Sequence, residues 1–312
     1  MKRKTVAFQG EPGANSHIAC REAFADYEAV PCPTFEDAFQ AVSLGEADLG
    51  MIPIENSVAG RVADIHHLMP TAGLHIVGQW FLPIRNQLVA PKGATLGGLK
   101  VVESHIMALG QCRKFLRNLG VTTRVAADTA GAARAVAESG DKSRAAIASR
   151  LAAEIYGLTI LAPDIEDESH STTRFVVLAR EAERPDPSNG LVITTFVFQV
   201  RNIPAALYKA LGGFATNGVN MTKLESYMIE GNFFATQFYC DIEGHPDERP
   251  VELALQELAF FSQRGSMKIL GVYPGHPYRA TVAEKARMRL RNREYGRGGR
   301  SASAGMSQAG AD

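Results

Sequence analysis

The sequence predicts an α/β protein of two lobes followed by a smaller α+β unit, and three observations carry that reading. From Thr5 to Leu178, short apolar or β-branched runs alternate with helix-period segments, the pattern of a largely parallel sheet covered by helices. At 181–190 the stretch EAERPDPSNG gathers charge, two prolines and a glycine where no core can form. Beyond it the elements change order, to strand, helix, strand, strand, helix, strand.

Thr5–Gln9 is a β-rich run that meets the glycine turn of GEPGANS, and His17–Phe24 follows as a helix with Ser16 as its candidate N-cap. Phe35–Leu44 sets Phe35, Ala38, Phe39 and Val42 at helical spacing, and Leu49–Ile54 is a short apolar strand. Residues 73–91 stay β-like. From Lys100 the pattern restarts with a VVES strand, a helix through Met107 to Leu119 and a VTTRVAA strand. Alanine-rich helices at Ala130–Glu138 and Ser149–Tyr156 and a β-branched strand at Thr172–Leu178 complete a second lobe. A cleft between the lobes is expected. After the linker come strand Val192–Val200, helix Ala205–Asn217, strands Thr222–Met228 and Phe233–Ile242, helix Val251–Gln263 and strand Met267–Tyr273. That order is ferredoxin-like. The expected boundaries are 1–182 for the two-lobed region, 190–278 for the ferredoxin-like unit and 279–312 for a basic, disordered tail.

Composition narrows the function classes. The 312 residues carry 33 Lys/Arg and 33 Asp/Glu, so no global field recruits nucleic acid or an anionic membrane, and a small specific ligand is the expected partner. The zero hides an asymmetry: Arg279–Asp312 carries eight basic and three acidic residues, leaving a mildly acidic body. Cys20, Cys32, Cys112 and Cys240 lie far apart without a CxxC pair, which predicts packed thiols in a reducing compartment rather than disulfides or a zinc site. MKRKTVAFQG lacks the apolar run of a signal peptide, and no stretch approaches the roughly 20 apolar residues that span a bilayer. The expected location is cytoplasmic.

Four segments can carry chemistry. GEPGANS offers a strand-to-helix turn whose exposed amides suit a carboxylate, or simply a turn. PIENSVAG places Glu55, Asn56 and Ser57 just past an apolar strand, where α/β sheets bind ligands, although the tripeptide alone fits a loop and cap equally well. SHIMALGQC puts Ser104 at a helix start and Gln111 two turns on, a spacing of seven that brings both to one face. In DESHSTTRFVVL, strand alternation sets Thr173 and Phe175 on one face and Thr172 and Arg174 on the other. No HExxH, paired-cysteine, P-loop or nucleophile-elbow pattern is present.

Taken in order, PIENS, SH with QC, the AIASRLAAEIYGL helix and TRF resemble the signatures of prephenate dehydratases over about Thr5 to Tyr278. The resemblance implies a periplasmic-binding-protein-like pair of lobes and, at 190–278, an ACT regulatory module with NIPAALYKAL and NMTKLESYM at its ligand loops. It implies Thr173 as the catalytic threonine and Asn56, Ser57, Ser104, Gln111, Arg174 and Phe175 as the substrate site. Phenylalanine is implied as effector near Ala205, Ala206, Leu207, Glu225 and Ser226. The implied reaction converts prephenate to phenylpyruvate without cofactor or metal, in a homodimer or homotetramer.

Departures from the family pattern are specific: Ser171 replaces an asparagine two places before the threonine, and Ser104–Leu109 replaces an SHPQAL-type segment. In the regulatory loops Ala205 replaces a glycine and Tyr227–Met228 replaces Arg-Pro. Two other readings share most of these features. One is arogenate dehydratase, which performs the same elimination on the aminated substrate; the other is a non-enzymatic metabolite sensor, which the fold alone permits.

Overall fold

The computed structural model describes residues 3–62, 65–201, 203–229, 232–282 and 284, with 232–236 described by backbone alone. Its first part is β1 (Thr5–Gln9), α1 (Asn15–Ala23), β2 (Glu28–Cys32), α2 (Phe35–Ser43) and β3 (Leu49–Asn56), with β1 in parallel register between β2 and β3. A two-residue strand β4 (Gly60–Arg61) folds back on the end of β3; α3 (Ile65–Leu68) and the long β5 (His75–Pro83) follow. α1 starts at Asn15 with Ala14 in the cap position and no described side chain capping it, so Ser16 is a buried helix residue rather than the expected N-cap. Thr34 does cap α2, through a reciprocal capping box with Asp37.

The chain then leaves for a second sheet. Its elements are β6 (Gln87–Ala90), β7 (Val101–Ser104), α4 (Ile106–Gln111), α5 (Arg113–Leu119), β8 (Thr122–Val125), α6 (Thr129–Ser139), β9 (Arg144–Ala148), α7 (Arg150–Ile155) and β10 (Thr159–Ala162), in sheet order β10-β6-β9-β7-β8. The helix expected from Met107 to Leu119 is two helices broken at Cys112, which has φ −114° and ψ 25°. β11 (Thr172–Ala179) returns the chain to the first sheet, antiparallel between β3 and β5. The chain therefore crosses between the sheets twice, on either side of the second one, which forms a cleft at the crossing. Alanine-rich α6 and α7 close the join: Ala130, Ala133 and Ala152 share one apolar cluster with Phe8, Met51 and Phe175. The GEPGANS turn docks there, since Ser149 Oγ donates to the Gly13 carbonyl and Tyr156 Oη to that of Pro12. A Cβ on Gly13 would stand 2.6 Å from Ala152 Cα, and its φ of +94° favours glycine as well.

The third part is β12 (Val192–Gln199), α8 (Ala206–Thr216), β13 (Met221–Ile229), β14 (Asn232–Glu243), α9 (Arg249–Phe261) and β15 (Lys268–Pro274), in antiparallel order β13-β14-β12-β15. Phe196, Phe198, Phe214 and Leu258 form its core beneath the two helices. The sheet does not stop there, because Gly271 of β15 pairs with Ile76 of β5. Any Cβ at Gly271 would collide with the Ile76 carbonyl, so glycine permits the junction. Met1–Pro274 is one compact unit and Gly275–Asp312 a second. Residues 278–282, at the start of the expected disordered tail, are helical; 285–312 lie outside the described residues. Among the described residues no helix is long and apolar enough to cross a membrane, and all four cysteines are buried free thiols. Burial pushes Cys20 and Cys112 up to about 12.

Candidate active site

A cavity of about 520 Å³ lies at the cleft. β3 brings Asn56 to it and β11 brings Thr173 and Phe175, with Thr173 and Asn56 directly opposite in the strand register. Gln111 enters from the end of α4, and Asn86 from the segment that crosses to the second sheet. The remaining polar wall is Gln9, Asn15 and Ser16 by the glycine turn, His105, Arg61, and Asp128 with Thr129 at the start of α6. Asp128 is occupied in capping: its Oδ1 accepts from Gly131 N at 2.7 Å. Neutral donors thus dominate the wall.

The hydrogen bonds of Asn56 determine what Thr173 can do. Asn56 Oδ1 accepts from the backbone amides of Val58 and Ala59, at 2.9 and 2.8 Å. Amides can only donate, so the oxygen faces them and the nitrogen must face the other way. Nδ2 then donates to Ser171 Oγ at 3.1 Å and to Thr173 Oγ1 at 3.0 Å, using both its hydrogens. Thr173 receives a hydrogen bond on its oxygen and keeps its own proton to donate to a ligand. Ser171, standing where the family pattern has asparagine, is therefore a partner of Asn56. Thr172 points elsewhere, with Oγ1 near the His170 carbonyl at 3.4 Å.

Three of the expected substrate residues are placed otherwise. Ser104 ends strand β7 instead of starting a helix, is 0% exposed and donates to the Ile147 carbonyl at 2.6 Å; His105 takes the N-cap position. Ser57 ties the loop to β11: its Oγ donates to the His170 carbonyl and accepts from Thr172 N, at 3.1 and 3.0 Å. Arg174, on the opposite face of β11 from Thr173, is 4% exposed and turned toward the third part of the fold. Its Nη1 meets Glu55 at 3.0 Å and Asp241 at 2.5 Å, and its Nη2 donates to Tyr273 at 3.0 Å. Asp241 also accepts from Thr195 Oγ1 at 2.6 Å. Glu55 pairs in addition with Lys223 Nζ at 2.6 Å, and Lys223 with Glu225 at 2.7 Å. Burial pushes the Glu55 carboxyl up, yet Lys223 and Arg174 together hold it below its ordinary value. Burial opposes the charge on Arg174, which Asp241 restores so that the guanidinium stays protonated.

Gln111 lines the cavity as expected, its Oε1 accepting from Asn86 Nδ2 at 3.4 Å. Asn86 and Arg61 were not expected; nothing in the RNQ or AGR surroundings marks either until the strands are assembled. A second cavity, of about 750 Å³, opens beside the first and shares Ala59, Met107 and Gln111 with it. Its lining mixes apolar Ile106, Leu116, Val121 and Val125 with charged Arg113, Lys114, Arg117, Asp167 and Glu168. Among the described residues no cluster of His, Cys, Asp and Glu is arranged to hold a metal ion.

The fold and the cleft thus give an α/β protein whose cavity, between two sheets, presents a hydroxyl whose oxygen is held by Asn56. The prephenate dehydratase family model matches residues 6–183. A bifunctional N-acyl-homoserine lactone acylase/prephenate dehydratase of Komagataeibacter europaeus is 50% identical over 277 residues, 88% of this chain and 98% of that protein. The chloroplastic arogenate dehydratase/prephenate dehydratase 2 of Arabidopsis thaliana is 39% identical, over 87% of this chain and 73% of that one. The crystal structure of prephenate dehydratase from Arthrobacter aurescens, in complex with L-Phe, is 30% identical and superposes with a TM-score of 0.80, covering 92% and 99% of the two chains. The chain belongs to the prephenate dehydratase family, whose members are carbon–oxygen lyases.

Proposed function

We propose that the Thr173 cavity removes carbon dioxide and the ring hydroxyl from prephenate, giving phenylpyruvate for phenylalanine biosynthesis. The observation that carries this is the Asn56–Thr173 hydrogen bond, which leaves the threonine proton available to the departing oxygen. One proton enters, and carbon dioxide and water leave; the ring becomes aromatic. A threonine hydroxyl is a weak acid, so it contributes by stabilising developing charge on the leaving oxygen while Asn56, Asn86 and Gln111 orient the ring. No cofactor takes part in these steps.

In the same reading, residues 1–182 are a catalytic region with periplasmic-binding-protein-like lobes, 190–278 an ACT module, and phenylalanine the effector of a cytoplasmic homodimer or homotetramer. Support comes from the β13-β14-β12-β15 order, from the L-Phe complex of the Arthrobacter relative, and from unpartnered apolar residues on the module. Leu224 and Met228 stand exposed on edge strand β13, and Tyr208 of α8 is 81% exposed. Ala205 precedes α8 with φ +60°, the left-handed conformation that its family glycine adopts without strain, so its methyl costs about 1 kcal/mol there. Ala206 and Leu207 begin α8, whereas Glu225 is engaged by Lys223 and the Ser226 carbonyl by Arg61. Chelator-treated protein is expected to form phenylpyruvate from prephenate faster than it turns over arogenate, with phenylalanine lowering the rate. No product from prephenate, or activity restored only by metal, overturns the reading.

A second reading, hydrolysis of N-acyl-homoserine lactones, is supported by the name of the Komagataeibacter relative and by the apolar residues Ile106, Leu116 and Val125 in the neighbouring cavity, along which an acyl chain would lie. Val125→Lys should then abolish release of homoserine lactone and spare prephenate turnover. Equal rates in variant and wild type, or no release by either, would refute it.

A further inference from the structure

Prephenate carries two carboxylates, one lost as carbon dioxide and one kept in phenylpyruvate. Among the described residues lining the Thr173 cavity, Arg61 is the only lysine or arginine. It lies on β4, which pairs with β3 so that Gly60 stands opposite Asn56 and Arg61 opposite Glu55. Its backbone is therefore one strand position from Asn56, and the residue is among those that line the cavity. Gly60, with φ +85°, turns the chain back to make this pairing. The guanidinium is also anchored: its Nη1 donates to the Ser226 carbonyl of β13 at 2.8 Å. A planar group with five donors can be fixed through one of them and still present others to a carboxylate.

We propose that Arg61 positions the carboxylate that prephenate keeps, with the Ser226 carbonyl fixing its guanidinium, an inference that rests on the dehydratase reading. The choice of carboxylate follows from the chemistry. Negative charge drains from the departing carboxylate as carbon dioxide forms, so a cation there would stabilise the ground state more than the transition state and slow the step. At the retained carboxylate the charge is the same before and after. Arg61 then contributes binding that is equal in ground and transition states, which is read in KM and not in kcat. The anchor also makes β13, which carries Glu225 and Ser226, a neighbour of this cation.

The test is Arg61→Gln, with Arg61→Lys as the conservative comparison and thermal unfolding to confirm that both fold. Losing a charge-assisted hydrogen bond should raise KM for prephenate and the inhibition constant of phenylpyruvate by a similar factor, about tenfold to a hundredfold. The kcat should stay within about threefold, and Arg61→Lys should recover part of the loss. Unchanged KM and inhibition constant overturn the assignment, as does a loss confined to kcat. A rise in KM without a rise in the inhibition constant puts the arginine on the departing carboxylate and overturns it equally. Calorimetry of phenylpyruvate with wild type and Arg61→Gln reads the same contact without turnover. Failure of the wild type to consume prephenate counts against the dehydratase reading, whereas equal product affinity in the two proteins counts against Arg61 alone.

Discussion

Replacing Thr173 by alanine is expected to lower kcat for prephenate by about a hundredfold or more while leaving the unfolding midpoint near that of the wild type. A donor aimed at developing charge in a closed site is typically worth that much, and the alanine variant leaves the cavity lined but without the proton. The threonine oxygen accepts from the Asn56 amide, whose second hydrogen still binds Ser171 in the variant. Thr172→Ala provides the comparison. Its hydroxyl contacts the His170 carbonyl at the start of the strand, so its loss should change kcat much less. Equal kinetic losses at the two positions, with stability matched, would contradict the strand face on which the mechanism depends.

Arg174→Met is expected to destabilise the fold by about 3–5 kcal/mol, the usual consequence of removing one partner from a buried ion pair. Asp241, 0% exposed, would lose its guanidinium partner while its bond from Thr195 Oγ1 remains. Glu55 would lose one of its two cations and keep Lys223. Urea unfolding measures the loss directly, and the double variant Arg174→Met/Asp241→Leu should recover much of it by removing the stranded charge. A loss below about 1 kcal/mol would show that the cluster contributes no more than a surface pair. The acid limb has a definite sign. Because the folded Glu55 carboxyl is held low, its stabilising effect is present above the ordinary carboxylate range and is lost as pH falls through the depressed value. Acid should therefore loosen the contact between β3 and the third part of the fold as pH falls through that depressed value.

What the sequence made legible was set by local periodicity. The alternation of TTRF correctly separates Thr173 and Phe175 from Arg174, because a strand reverses its side chains at every residue whatever lies on either face. The same alternation carries no information about what covers the far face, and there β12, β14 and β15 supply Thr195, Asp241 and Tyr273 to a residue assigned to substrate. Ser104 shows the converse limit. A seven-residue spacing to Gln111 means a shared face only on an unbroken helix, whereas β7 runs through Ser104 and the helix begins two residues later. Arg61 and Asn86 reach the cavity from a two-residue strand and a crossing segment, neither long enough to have a period. Ala205 was marked by the missing glycine, and the positive φ at that position gives the physical reason a glycine suits it.

The central claim, that prephenate is held with its leaving hydroxyl against Thr173, is tested most directly by a crystal structure of the Thr173→Ala variant soaked with prephenate. The account predicts the ring in the 520 Å³ cavity, its hydroxyl directed at position 173 within about 3–4 Å of the space the threonine oxygen would fill, and its side-chain carboxylate on Arg61. A ring seated in the neighbouring 750 Å³ cavity, or one turned so that the hydroxyl faces Gln9 and the glycine turn instead, would contradict it.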